Sequence, residues 1–278
     1  MSCTAAFATG LRAKVGGCLA VLLVPVAAVW GETSFSPVHL PLVHSTALAP
    51  TTPLSYPLLS QVLARFAAEP TALATQRARN LLSTHLARLA QLGPSTRPES
   101  FPREEETIAY LVNAHMAWTV ALTAEPGLAQ LPVAELRTIP FPLDGRRTTL
   151  ASLAQEILAR APAEPRLVLF LNPGLAEGPP LPPWPLEGHS LAWQLERHAH
   201  RCGAQPSFWR LDEARRELAA GAFTAFMPGL PATAHQRAAR LLELVPPPPP
   251  LYARIVAVCG PTLQRCTHTV SPLPSTRW

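Results

Sequence analysis

His198 and Cys202 stand four residues apart, the separation at which two side chains meet on a helix. A thiol beside an imidazole is the pairing that makes a cysteine nucleophile or half of a metal site. No third ligand follows at a metal-site spacing, and both residues fall on a stripe with Leu191 and Leu195, so the pair reads as core filling. His115 is sharper, a single imidazole on a helix that is otherwise nearly all apolar. It is either a relocated acid–base group or ligand anchor, or a buried histidine bonded to a backbone carbonyl, and its surroundings favour the second. Glu177, in a Pro-rich loop, could serve as a carboxylate base, although a solvated glutamate is commoner in such a place. Asn113, Arg166 and Asn172 complete the candidates as binding or cleft-lining groups.

No Gly-rich phosphate loop, G-x-S-x-G elbow, H-E-x-x-H or paired C-x-x-C is present, which removes the common enzymes that carry them. No metal and no cofactor follows from these residues. The charge of +5 is almost wholly arginine, since Lys14 is the only lysine. Those arginines are dispersed among Glu and Asp rather than clustered, which argues against a nucleic-acid partner.

The elements that must position these groups begin after a chemically distinct start. Arg12 and Lys14 precede an uncharged apolar segment, Val15 to Trp30, before Gly31, Glu32 and Thr33 return to polarity. That is the layout of a secretory signal. It falls short of the roughly 20 residues that span a bilayer, and Pro25 weakens it further, so membrane contact is expected only if this segment stays uncleaved as an anchor. The expectation is an exported protein, periplasmic or extracellular. Losing residues 1–31 would leave Cys202, Cys259 and Cys266, an odd number. Cys259 and Cys266 flank Gly260-Pro261 and could close as a disulfide in an oxidising compartment.

Residues 32–53 carry four prolines and no helical period, as a linker does. Helical spacing follows in 54–67, 72–92, 104–122 and 150–160. Glu104, Glu105 and Glu106 sit at the positive end of the third of these. Leu143-Asp144-Gly145-Arg146 reads as the turn of a small hairpin. The run Leu167 to Leu171, closed by Asn-Pro-Gly, suits a buried strand. Ser190 could cap a helix through Cys202, Phe208 to Leu211 suits a short strand, Asp212 could cap a helix to Ala220, and 235–245 is helical. The run Pro246 to Pro250 reads as an extended rod, followed by a strand pair at 253–258 and 268–270.

Three of these stretches, in order, resemble the bacterial envelope family called domain of unknown function 547. They are PREEETIAYLVNAH (102–115), TTLASLAQEILAR (148–160) and RLVLFLNPGLAEGPPL (166–181). The similarity runs from Leu54 to Phe226. It rests on Asn113 and Ala117, on Leu150, Ile157 and Leu158, and on Pro165, Arg166, Leu171, Asn172, Gly174, Pro179, Pro180 and Leu181. Where that family has a Glu-His pair, a strand histidine, two loop cysteines and an aromatic-amide pair, this chain has Ala154 and Gln155, Val168, Pro173 and Gly178, and His115 and Met116. The resemblance therefore implies a scaffold whose reactive positions have been replaced.

The expected fold is helix-rich α+β, one domain with one small β-sheet that contains 167–171. Its parts are an export segment (1–31), a linker (32–53), the domain (54–245), and a Pro-rich rod with a strand pair (246–278). The expected function is that of a non-catalytic binding or scaffold protein of the cell envelope, which binds an envelope protein or small ligand or serves a purely structural role. The alternative is a hydrolase or transferase rebuilt around His115 and Glu177.

Overall fold

The structure is a computed structural model that describes residues 56–68, 76–128, 131–174 and 178–270. The export segment, the linker and Glu177 lie outside the described residues.

Helix α3, Glu104–Ala124, is the axis. Every residue from Thr107 to Leu122 is buried, which a helix apolar on all sides requires of its neighbours. Helices α1 (Pro57–Ala68) and α2 (Gln76–Gln91) pack on it, as does α5 (Leu150–Arg160). Its acidic first turn is held by Arg103, whose backbone N–H and guanidinium both donate to Glu106. These bonds hold the Glu106 carboxyl below its usual range. Arg160 at the end of α5 donates to Glu104 at 3.0 Å.

The short helix α4 (Val133–Leu136) leads into a hairpin of β1 (Phe141–Leu143) and β2 (Arg146–Thr148), with Leu143 opposite Arg146. Asp144 and Gly145 form its turn at φ 50° and 74°, the left-handed pair that a two-residue hairpin requires. The tip then plugs the end of α2. The N–H groups of Asp144 and Gly145 donate to the carbonyls of Leu89 and Ala90, each at 2.8 Å. The Asp144 carboxylate accepts from the N–H groups of Ser95 and Thr96 and from the Thr96 hydroxyl. The helix end and the hairpin thus satisfy each other's backbone groups.

After α5 the chain differs from expectation. Leu167 to Leu171 is not a strand: Pro165–Phe170 is a 3-10 helix. Pro165 presets φ at its first position, and the Glu164 carboxylate accepts the Arg166 N–H at 3.1 Å. All residues from Leu167 to Phe170 are buried against α5 and α6 (Leu191–Gly203). An unbroken apolar run specifies burial on all sides, and a helix between helices meets that demand as well as a strand does.

The second β region is a mixed sheet in the order β3 (Trp209–Asp212), β4 (Glu217–Ala220), β5 (Thr267–Val270). β4 pairs antiparallel with β3 and parallel with β5. The helix expected from Asp212 is therefore a turn and a strand. Asp212 accepts the Arg215 N–H at 2.9 Å, and Arg216 at φ 51° closes the turn. Helix α7 (Ala234–Leu244) packs on β5 and is capped by Thr233, which accepts the Gln236 N–H. The expected strand at 253–258 is also a helix, α8 (Pro249–Cys259). Pro249 and Pro250 occupy its first turn, where no N–H partner is needed, so the expected rod ends at Pro248, which is extended at φ −56° and ψ 147°. A disulfide joins Cys259 to Cys266, seven residues on. The class is the expected helix-rich α+β; its strands are divided between the hairpin and the mixed sheet.

Candidate functional site

Among the described residues the candidates His115, His198 and Cys202 are all buried. His115 is 1% exposed, with Thr119 Oγ1 3.5 Å from its Nδ1. Burial pushes its pKa down to about 3, with Arg137 adding a smaller push. His198 is fully buried, its ring 4.2 Å from that of Phe170. Its Nε2 lies 3.2 Å from the Leu169 carbonyl and 3.5 Å from Cys202 Sγ. A carbonyl only accepts, so Nε2 carries the proton and cannot take one from the thiol. Burial lowers His198 to about 3 against the opposing carbonyl bond, and raises Cys202 to about 12. A dyad that activates a thiol needs the thiolate and imidazolium forms; both are disfavoured here.

Asn113 and Asn172 are buried and fasten backbone. Asn113 donates to the Leu186 carbonyl at 2.8 Å and accepts the Leu186 N–H at 2.7 Å, a strand-like pair made by one side chain. Asn172 donates to the Pro179 carbonyl and accepts the Gly174 N–H, closing the loop that leaves the 3-10 helix. A Cβ at Gly178 would lie 2.5 Å from Asn172 Nδ2, so this loop geometry has no room for a larger residue there. Arg166 grips Glu164 through two guanidinium nitrogens, at 2.7 and 2.6 Å, and that bond raises its pKa. Asn113, His115 and Asn172 therefore do not open into a common cleft.

A cavity of about 250 Å³ lies between α7 and the mixed sheet. Of its polar groups, Arg237 donates to the Pro231 and Ala232 carbonyls and His268 Nε2 lies 3.0 Å from the Leu263 carbonyl, while His268 Nδ1 is buried without a hydrogen-bond partner. Among the described residues no group of three or more His, Cys, Asp and Glu could hold a metal ion.

The solvent-facing side of α6 is different. Trp193, Arg197 and Arg201 recur every fourth residue and form one row, opposite Leu191, Leu195, His198 and Cys202. The Arg197 guanidinium carbon sits 4.2 Å from the ring centre of Trp184 and 5.1 Å from that of Trp193. Arg201 lies 5.9 Å from Trp184. Trp193 is 57% exposed, the highest value of any large apolar residue described. Among the described residues neither Arg197 nor Arg201 has a carboxylate partner, whereas ten other ion pairs form. A guanidinium stacked on indole keeps its N–H edge outward, ready for an anion. The sequence reading missed this row because it followed the buried stripe of α6; the same four-residue spacing on the opposite face was the available signal.

No family model, no curated protein and no solved structure matches this chain.

Proposed function

We propose that this chain is an exported, non-catalytic binding domain of the cell envelope, and that it recognises its partner through the outer row of α6. The observation that carries the proposal is Arg197, whose guanidinium lies over two tryptophan rings with no carboxylate beside it among the described residues. Exposed aromatic and arginine side chains are the residue types over-represented where proteins bind. The sealed, neutral states of His115, His198 and Cys202 weigh against a rebuilt hydrolase or transferase. The resemblance to domain of unknown function 547, with reactive positions replaced by Val168, Pro173 and Gly178, points the same way.

Export is supported by the basic-then-apolar layout of residues 12–30 and by the Cys259–Cys266 disulfide, a bond that persists in oxidising compartments. Among the described residues no helix is long and apolar enough to cross a membrane.

The test is affinity capture from fractionated envelope material with the purified chain as bait. The expected result is saturable recovery of one component, competed by free chain and lost in the double variant Arg197→Ala/Arg201→Ala. Product formation that disappears in Cys202→Ala or His115→Leu would overturn the non-catalytic reading. Recovery unaffected by the double variant would remove α6 from it.

A further inference from the structure

The chemistry of the α6 row is narrower than binding in general. Its two arginines are rooted about one helical turn apart, roughly 6 Å along the axis. Each has an N–H fork that matches a carboxylate in two-bond geometry. The row therefore suits anionic groups that recur at a short, regular spacing. Carboxylates fit the fork as well as phosphates do, and the indoles add a second requirement. The Arg197 guanidinium carbon lies over both indole rings, 5.1 Å from the centre of the exposed Trp193 and 4.2 Å from that of Trp184.

Indole rings with guanidinium forks beside them are complementary to a linear chain of rings that carry carboxylates. The non-polar C–H face of a sugar ring lies against indole, while its carboxylate meets a guanidinium. An acidic peptide would use the forks but not the indoles, and its backbone would gain no strand pairing on a helix surface. Glu196, the carboxylate on the same helix, forms no ion pair with either arginine among the described residues.

We propose that the Trp184–Trp193–Arg197–Arg201 row is a binding site for an acidic polysaccharide built of uronic-acid sugars. This rests on the reading of the chain as a binding domain, and it adds the ligand class and the role of each residue. Trp193 supplies the stacking face, Arg197 and Arg201 each take a carboxylate, and Trp184 holds both arginines in place.

The experiment is calorimetric titration of the full chain with short polygalacturonate. Matched titrations use its methyl-esterified form, neutral dextran, polyglutamate, and vesicles containing phosphatidylglycerol. Binding of polygalacturonate is expected, weakening with salt and falling at least about tenfold in either Trp193→Ala or Arg197→Ala, a change of about 1.4 kcal/mol. Methyl esterification should abolish it, because the forks lose their anion. Circular dichroism of both variants must match the parent, which these exposed positions permit.

The assignment is overturned if polygalacturonate fails to bind. It is overturned equally if polyglutamate binds as tightly and Trp193→Ala changes nothing, which would make the row an acidic-peptide site. Vesicle binding without glycan binding would assign it to a lipid surface instead. In each case, capture of a component that depends on Arg197 and Arg201 leaves the binding-domain reading standing. Loss of that capture as well removes both.

Discussion

Helices α3 and α6 each bury one imidazole, and they place it under the same constraint for different reasons. α3 is buried all round, so His115 has no solvent side to turn to. α6 is amphipathic, and its inner face holds His198 and Cys202 while its outer face holds Trp193, Arg197 and Arg201. The inner groups are uncharged because taking an ion out of water costs far more than a helix can return. The outer groups are permanently charged and stay wet. What could react is neutral, and what is charged is available. The comparison teaches that a spacing such as His198–Cys202 carries no chemistry until the face it occupies is known.

The largest effect expected from this contrast is acid unfolding. His85, His115 and His198 have folded pKa values near 4, 3 and 3, all lowered mainly by burial. Unfolded, each titrates near 6.5. Below that pH the unfolded chain binds more protons than the folded one, so stability is full above about pH 6.5 and declines as pH falls toward the folded values. Each histidine withdraws about 1.4 kcal/mol per pH unit. At pH 4.5 the three together remove roughly 8 kcal/mol, comparable to the whole stability of a domain. Circular dichroism against pH should show cooperative unfolding between about pH 4 and 5 with uptake of about three protons. His115→Leu should move the midpoint to lower pH. A chain still folded at pH 3.5 would show that these imidazoles reach water, and the contrast between the faces would fail.

How much of this was legible differs by element. The periodicity of α3, with its acidic first turn, was unambiguous because an all-round apolar helix is both long and capped. The hairpin turn was legible too, since Asp144-Gly145 is the local signal for two left-handed residues. Pro165–Phe170 was not, because a short apolar run reports burial and not backbone geometry. α8 was misread although Pro249 and Gly260 mark its start and end in the usual order. The β-branched residues between them suit a strand as well, but among the described residues no strand pairs with this stretch. β4 was hidden by its alanines: Glu217–Ala220 has helical composition, and only its position between β3 and β5 makes it extended. The Asn113–Leu186 clamp was invisible for a simpler reason, because its partners are 73 residues apart.

That clamp gives the next largest effect. Asn113→Ala leaves the Leu186 N–H and carbonyl buried without partners, at a cost of about 3 kcal/mol. It should lower the midpoint of urea unfolding with an unchanged slope. A loss under about 0.5 kcal/mol would mean that water reaches Leu186, and α3 would no longer be sealed.

Helix α8 extends the comparison to an element with little burial. Only Ile255 and Cys259 of its residues are buried, so covalent closure substitutes for packing. Replacing Cys259 and Cys266 together by serine should cost about 2 kcal/mol, as expected for a short loop. The check is thermal unfolding of the double variant beside the parent. An unchanged midpoint would show that β5 pairing with β4 holds this end without the cross-link.

The smallest expected effect is the sharpest test of the outer face. Each exposed cation–π contact contributes about 0.5–1 kcal/mol, so Arg197→Ala and Trp193→Ala should each lower stability by no more than that. Their double-mutant cycle should give a coupling of the same small size. Arg197→Lys keeps the charge but loses the planar stack and the fork, so it should fold with near-parent stability while anion binding weakens. A coupling above about 2 kcal/mol would place the row among the structural contacts, like the Asn113 clamp. Small coupling together with a large binding defect is the signature of a surface kept for recognition, because the stack then contributes more to the bound state than to the fold.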